Sequence, residues 1–423
     1  MRLIGNLQVA SDKSITHRAI IFSSLAKGDT YIYNPLLGED CLSTLEIFKK
    51  LGISYEIKEN YLKIKSPGVN AFKGKTLELD ANNSGTTARL LMGVFAALPL
   101  TIKLTGDTSL SKRPMRRVKD PLSLMGAKIE LTNELTLPAI IEGASLTGIT
   151  YELPVASAQV KSALMLAGIF AKGTTVIGEP ILTRDHTEKM FEAFKIIYNK
   201  ENHLITIPGL QQPKTPGNLQ IPADISSAAF FIVAALMLPG SDITLKNVGL
   251  NESRAGILDV VKEMKGNIQL LNQSYFGGEP IGDIRIRYTK ELIGTTISGD
   301  LIPKLIDEIP IIALLATKAK GLTLIKDAQE LKVKETNRIE TTVTELKKLG
   351  AELSMTEDGM IIQGKHSQKY LNSNVQSYED HRIAMMLSIA SLLTEKPLKI
   401  KGIEAMSVSY PDFLKHLEQL KID

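Results

Sequence analysis

The sequence has a single cysteine, Cys41, among its 423 residues, which excludes an internal disulfide framework and a zinc site built on cysteines. It has little charge of one sign. Its 50 Lys and Arg stand against 46 Asp and Glu, a formal net charge of +4, too small for a whole-molecule attraction to nucleic acid or an anionic membrane. Any basic site must be local. No apolar run approaches the roughly 18–20 residues of a membrane span, and the first residues, MRLIGNLQVASDKS, hold no apolar stretch of signal-peptide length. The chain is therefore expected in the cytoplasm, as a monomer with neither membrane nor nucleic-acid partners.

What is present is the balance of a globular protein, 43% apolar and 23% charged. Single cores stop growing near about 250–300 residues, so two domains are expected. Cys41 lies where Leu42, Leu45, Phe48 and Leu51 recur at helical spacing, and it reads as a buried helix position rather than a nucleophile.

The chain also repeats itself six times, at intervals of roughly 70–80 residues. In each unit a polar turn opens an apolar helix, a strand follows, and a second, amphipathic helix closes the unit. The turns fall at Ser14, Ser84, Ser157, Ser226, Asp307 and Asp380, residue types that favour helix N-caps. The third unit looks truncated near FKIIYNKENH. Strands such as DITLKNVG and LTLIKDA are rich in β-branched residues, while first helices such as SAAFFIVAALML are apolar almost all round. Helices should therefore form the buried layer and sheets the outer one. The expected fold is a two-domain, inside-out α/β barrel with three repeats per domain. Repeats one to three occupy residues 11–220; repeats four to six occupy 221–423, joined by an N-terminal strand within residues 1–10. A linear solenoid is the plainer alternative, and a ring-shaped nucleic-acid clamp is disfavoured by the low net charge.

The helix-opening turns carry cations that a core does not need. DKSITHR sets Lys13, Ser14 and Arg18 together, with Ser14 and Arg18 one helical turn apart. A helix N-terminus already presents free N–H groups and a positive dipole end, so added Lys and Arg oppose it, a cost that points to a bound anion. In ANNSGTTAR, Asn83, Gly85 and Thr86 form a small turn whose glycine lets a ligand approach the backbone, and Arg89 follows one turn later. SKRPMRRVK gathers five cations around Arg113 with no aromatic interleaved for base stacking. Further on, KLIDEIP carries Asp307, LKVKETNRIE carries Lys334, Glu335 and Arg338, and YEDHRIAMM carries Arg382. Singly, each string is an ordinary cap or helical ion pair. If each domain gathers its helix N-termini at one end, Lys13, Asn83, Arg113, Gln159, Asp307, Glu335, Arg338 and Arg382 face one cleft, which suits substrates bearing several phosphates and carboxylates.

In order and spacing, DKSITHR, NSGTTAR, KRPM, SAQVKSAL, VKETNR, EDHRIAM and the terminal SYPDF resemble the 5-enolpyruvylshikimate-3-phosphate synthases over essentially the whole chain. SAQVK and TRDHTE resemble the variant of the family found in many bacteria. The resemblance implies transfer of an enolpyruvyl group from phosphoenolpyruvate to shikimate-3-phosphate, without a metal or organic cofactor. It puts phosphoenolpyruvate contacts on Lys13, Gly85, Arg113, Gln159, Arg338 and Arg382. Shikimate-3-phosphate contacts fall on Lys13, Ser14, Arg18, Ser157, Ala158, Gln159, Asp307 and Lys334. The groups implied in catalysis are Lys13, Asp307 as acceptor of the hydroxyl proton, and Glu335 as donor to the methylene carbon. Lys334 and Arg338 favour the ionised form of Glu335, against its role as donor, unless desolvation on domain closure reverses them.

Three departures stand out. Val408 occupies a position that is lysine in some relatives, so a contact to the phosphoenolpyruvate end is absent; His186 and Ala158 stand where some have Tyr and Ser in the shikimate-phosphate pocket, and Arg184 is the nearby charge available for that phosphate. A sister transferase acting on UDP-N-acetylglucosamine needs a loop cysteine in the second unit, and Gly106 to Pro121 has none. An RNA 3′-phosphate cyclase would need ATP and a nucleophilic histidine. A non-catalytic scaffold leaves the clustered cations unexplained.

Overall fold

The computed structural model describes residues 1–276 and 278–422. The chain divides into two compact units, one of Met1–Ala10 with Pro222–Asp423 and one of Ser11–Ile221.

Strand β1 (Arg2–Leu7) opens the first unit, and the chain then builds the whole of the second. There, the first repeat is α1 (Lys13–Leu25), β2 (Gly28–Tyr33), α2 (Glu39–Leu51), β3 (Ser54–Ile57) and β4 (Tyr61–Ser66). The second is β5 (Thr76–Asp80), α3 (Gly85–Ala97), β6 (Thr101–Thr105), α4 (Arg116–Leu124), β7 (Lys128–Thr132) and β8 (Thr136–Glu142). The third is β9 (Thr150–Glu152), α5 (Ala158–Gly168), β10 (Thr174–Gly178), α6 (His186–Ala193), β11 (Asn199–Glu201) and β12 (Leu204–Pro208). Strand β13 (Asn218–Gln220) returns to pair in parallel with β2.

All three sheets share one plan. A lead strand runs parallel to the strand after the central helix, as β5 does to β6, and an antiparallel hairpin completes the sheet. The same plan holds for β9, β10, β11 and β12 and for β13, β2, β3 and β4. A parallel pair needs a crossover, and the central helix supplies it between β5 and β6 and between β9 and β10, whereas β13 reaches β2 only after the rest of the unit has been traversed.

The chain then returns to the first unit with α7 (Ile225–Met237), β14 (Asp242–Gly249), α8 (Gly256–Glu263), β15 (Asn267–Phe276) and β16 (Glu279–Arg287). The fifth repeat is β17 (Thr296–Ile297), α9 (Ile302–Leu305), α10 (Ile309–Lys318), β18 (Gly321–Ile325), α11 (Arg338–Lys348), β19 (Glu352–Met355) and β20 (Met360–Gly364). The sixth is β21 (Asn374–Gln376), α12 (His381–Ser391), β22 (Lys399–Lys401), α13 (Phe413–Leu420) and β23 (Lys421–Ile422). Here β1 is the lead strand, parallel to β14 and antiparallel to β23. The sixth sheet keeps only the parallel pair β21 and β22: α13 is the repeat's second helix, and the strand after it, β23, pairs with β1 instead of with its own sheet.

Each unit is an inside-out α/β barrel, with its first helices central and its sheets outside. Every residue of α7 is buried, as a helix apolar almost all round requires. Helices α3 and α5 approach so closely that a Cβ on Gly93 would lie 2.1 Å from the carbonyl oxygen of Ala163. The second helices are two-faced. In α2, Glu39 and Asp40 open the helix, Lys49 and Lys50 close it, and left-handed Gly52 caps it, all in keeping with the dipole. Cys41 lies fully buried within it.

Three expected caps shift. Asp12, not Ser14, caps α1, and Asp224, not Ser226, caps α7, because those carboxylates reach the N–H groups of Ile15 and Ser226. Neither Asp307 nor Glu308 caps α10 with its side chain. Ser84, Ser157 and Asp380 do cap α3, α5 and α12.

Candidate functional site

Within Ser11–Ile221 the predicted residues collect at the openings of α1, α3 and α5. Lys13 Nζ donates to Asp40 Oδ2 at 2.9 Å. Arg18 folds back along its own helix to the carbonyl of Ser14 at 3.0 Å, then donates through Nε to Thr187 Oγ1 and through Nη2 to Ser162 Oγ, both at 2.8 Å. One guanidinium thus ties α1 to α5 and α6, and Ser162 and Thr187 close the triangle at 2.7 Å.

Gly85 is the first residue of α3, and the ends of two arginine side chains close over it. A Cβ there would lie 2.9 Å from Arg89 Nη1 and 3.3 Å from Arg113 Nη1. Arg89 Nη1 donates to Gln159 Oε1 at 2.8 Å, and Gln159 Nε2 donates to Thr86 Oγ1 at 3.2 Å. Arg113 Nη2 donates to Asn83 Oδ1 at 2.9 Å and Ser109 Oγ at 3.2 Å. Gly85, Arg113 and Gln159 are therefore neighbours, and Arg89 joins them although the family resemblance did not assign it. Its signal was the one-turn spacing from Gly85.

Two buried networks hold this arrangement. His17 Nδ1 meets Thr44 Oγ1 at 2.8 Å, Thr44 meets Thr87 at 2.6 Å, and Thr87 donates to Ser84 Oγ at 2.7 Å, which joins α1, α2 and α3. Burial, followed by Lys13 and Arg18, holds the His17 pKa well below its ordinary value, so the ring stays neutral. On α5, Lys161 is fully buried between Glu179 at 3.0 Å and Glu188 at 2.8 Å, with Lys200 3.3 Å from Glu188. Glu179 also accepts from the N–H of Thr183 at 3.1 Å. It thereby fixes the turn that presents Arg184, His186 and Thr187. Ser157 caps α5 and Ala158 begins it, beside Gln159.

The other unit gathers its residues around Arg338, at the start of α11. Its Nη1 lies 3.2 Å from Asp307 Oδ1, its Nη2 lies 2.6 Å from Glu335 Oε2, and its Nε lies 2.8 Å from Asp380 Oδ2. Burial alone would pull the guanidinium's pKa down, but Asp380, Glu335 and Asp307 outweigh it and raise it. Lys334 Nζ stands 3.3 Å from Asp307, and Arg382 Nη1 donates to the buried Glu308 at 3.4 Å. Asp307 is therefore flanked by Lys334 and Arg338, and by Arg254 Nη1 at 3.7 Å from Oδ2.

Sequence reasoning missed Arg254. It donates to Ser226 Oγ at 2.6 Å and lies 3.4 Å from Asp224 Oδ1 and 3.7 Å from Glu308. These partners are distant in the chain, so no local spacing announces them. Five carboxylates (Asp224, Asp307, Glu308, Glu335 and Asp380) thus interleave with four cations (Arg254, Lys334, Arg338 and Arg382). This cluster offers acid–base groups beside fixed positive charge. Among the described residues no group of three or more His, Cys, Asp or Glu is arranged to hold a metal ion, and no helix is long and apolar enough to cross a membrane.

Comparison with known proteins extends over almost the whole chain. The family model described as EPSP synthase (3-phosphoshikimate 1-carboxyvinyltransferase) matches residues 1–417. The 3-phosphoshikimate 1-carboxyvinyltransferase of Staphylococcus haemolyticus is 52% identical over 422 residues, covering 99% of this chain and 96% of the relative. That of Bacillus subtilis is 50% identical over 420 residues, covering 99% and 97%. A solved structure of EPSP synthase from Acinetobacter baumannii superimposes with a TM-score of 0.87 at 41% identity, covering 99% of this chain and 96% of the other.

Proposed function

Because the chain belongs to the EPSP synthase family, we infer that it transfers the 1-carboxyvinyl group of phosphoenolpyruvate to the 5-hydroxyl of shikimate-3-phosphate, a step in chorismate and aromatic amino acid biosynthesis. Inorganic phosphate is the second product. The hydroxyl oxygen bonds to C2 of phosphoenolpyruvate, the hydroxyl loses its proton, and the methylene carbon gains one. The bond from C2 to the phosphate oxygen then breaks, and the new methyl group returns a proton, restoring the vinyl group. Such a route needs a base, an acid and fixed charge on the departing phosphate.

We assign those roles as follows. Lys13, Gly85, Arg113 and Gln159 in one unit, with Arg338 and Arg382 in the other, contact phosphoenolpyruvate. Lys13, Ser14, Arg18, Ser157, Ala158 and Gln159, with Asp307 and Lys334, contact shikimate-3-phosphate, and Arg184 adds charge for its phosphate. Asp307 accepts the hydroxyl proton. Glu335, held through one oxygen by Arg338, serves the methylene carbon, and Lys13 stabilises charge on the reacting groups. The substrates are small, water-soluble anions, so the assignment calls for no nucleic acid or membrane; we take the protein to act as a monomer in the cytoplasm.

The observation that carries the assignment is the approach of Arg89 and Arg113 over Gly85 beside Gln159. Two guanidiniums there meet a helix N-terminus with no side chain in the way, as an anionic group requires. The test is phosphate release from phosphoenolpyruvate, assayed with shikimate-3-phosphate and, in parallel, with UDP-N-acetylglucosamine. Turnover with the shikimate ester alone is expected; turnover only with the sugar nucleotide would sink the inference.

A further inference from the structure

We propose that Glu345 is a positioning residue for Arg338 and Arg382, acting through a strained turn at Tyr378 and Glu379. The proposal rests on the inference that those two arginines contact phosphoenolpyruvate.

Glu345 lies two turns after Arg338 on the same face of α11 and is fully buried. A buried carboxylate is costly unless its oxygens are occupied, and an apolar side chain would pack there at less cost. One oxygen accepts from Tyr378 Oη and from Lys348 Nζ, both at 2.7 Å, and the other accepts from the N–H of Gln376 at 3.0 Å. Two of its three bonds thus go to residues 376–378.

That segment has an unusual backbone. Tyr378 and Glu379 are consecutive left-handed residues, with φ of 57° and 60°, where side chains crowd the backbone and glycine or asparagine is the common choice. Strain of this kind persists only where the surroundings enforce it. Glu345 grips the turn from one side. From the other, Ser377 Oγ donates to the carbonyl of Gly402 at 2.7 Å and accepts from the N–H of Glu379 at 3.2 Å.

The turn delivers Asp380. Its carboxylate accepts twice from Arg338, at 2.8 and 3.2 Å, and its Oδ1 also accepts from the N–H of Arg382 at 2.9 Å, capping α12. Constraint therefore runs in a closed loop, from Arg338 to Asp380, through the turn to Tyr378, and back by Glu345 to the helix that carries Arg338. Asp380 cannot drift from Arg338 without breaking the grip. Burial, followed by Glu345 itself, pushes the Tyr378 pKa up to about 12, which keeps its hydroxyl a donor throughout the working range.

The test uses the full chain, with steady-state KM for each substrate and thermal unfolding. Tyr378→Phe removes only the hydroxyl and should raise the KM for phosphoenolpyruvate roughly fivefold to tenfold, the scale of one ordinary lost hydrogen bond, with the KM for shikimate-3-phosphate unchanged. Glu345→Gln should act in the same direction. Adding Glu379→Gly to Tyr378→Phe supplies a residue at ease with positive φ and should recover much of the loss. If both KM values rise alike with a lowered Tm, or neither moves, the positioning role is wrong. Arg338→Lys and Arg382→Lys keep the two failures apart. Should they raise the KM for phosphoenolpyruvate while Tyr378→Phe does not, only the positioning role is lost. If they too leave it unchanged, the assignment of the arginines falls.

Discussion

Arg338 and Asp380 form a two-point ion pair with 1% and 0% of their side chains exposed, Nε to Oδ2 at 2.8 Å and Nη2 to Oδ1 at 3.2 Å. Parallel N–H donors suit a carboxylate, and burial makes each partner dependent on the other. Asp380→Ala should cost about 3–5 kcal/mol in urea unfolding, because it strands a buried guanidinium. A loss under about 1 kcal/mol, typical of an exposed pair, would mean that Asp307 and Glu335 suffice to hold Arg338.

Asp307 and Glu335 should act on the chemical step more than on binding. Asp307→Asn and Glu335→Gln keep the shape of each side chain and remove its proton chemistry. Each is expected to lower kcat by roughly a hundredfold or more while KM moves a few-fold at most. Steady-state kinetics decide it, and a near-parental kcat in either variant removes that residue from the acid–base role.

Lys161→Met leaves Glu179 and Glu188 buried with Lys200 as the nearest cation described for them. A stability loss of about 3–5 kcal/mol at neutral pH is expected, with most of it recovered when Glu179→Gln and Glu188→Gln are added. Urea midpoints of the single and triple variants measure this. A triple variant as unstable as the single would show that packing, not charge, dominates.

His17 should contribute a pH dependence to stability. Its folded pKa lies well below the ordinary value, so the folded state binds the proton less readily than the unfolded chain. Stability is then intact above about 6.5, the unfolded value, and is lost progressively as pH falls below it. His17→Asn cannot titrate there, so its urea midpoint should fall less steeply than the parent's from about pH 7 to 5.5. Equal slopes would rule His17 out as a source of the dependence.

Gly93→Ala should be among the costlier alanine substitutions. Its Cβ would meet the backbone of Ala163 at 2.1 Å, and neither central helix can yield without moving the core around it. A loss of at least about 2 kcal/mol is expected, read from thermal or urea unfolding. A parental Tm would mean that α3 and α5 slide apart at little cost.

Local chemistry made much of this legible from the sequence. The spacing of Leu42, Leu45, Phe48 and Leu51 marks α2, and Ser84, Ser157 and Asp380 cap helices because an N-cap acts within three residues. The same chemistry misplaced two caps, since both DKS and DIS offer a second oxygen and only the geometry chooses Asp12 and Asp224. What lay beyond reach was pairing across distance. Arg254 meets Asp307, Lys161 meets Glu188, and Glu345 meets Tyr378, each across dozens of positions that carry no periodic signal. The third repeat proved short rather than broken: α6 ends at Ala193, and a three-residue β11 still completes the hairpin with β12.

The parallel pairing of β1 with β14, and of β13 with β2, bears on how the polypeptide comes together during synthesis. Residues 11–221 hold every strand of their own three sheets, so that unit is complete in sequence once β13 has been made. The other unit has its lead strand at the outset and must leave it unmatched until β14, and later β23, emerge from the ribosome. An unpaired strand is an invitation to mispairing over that interval. In β1 the polar Asn6 and the glycine Gly5 interrupt the apolar residues Leu3, Ile4 and Leu7, a composition that makes the waiting strand a poorer template for wrong partners.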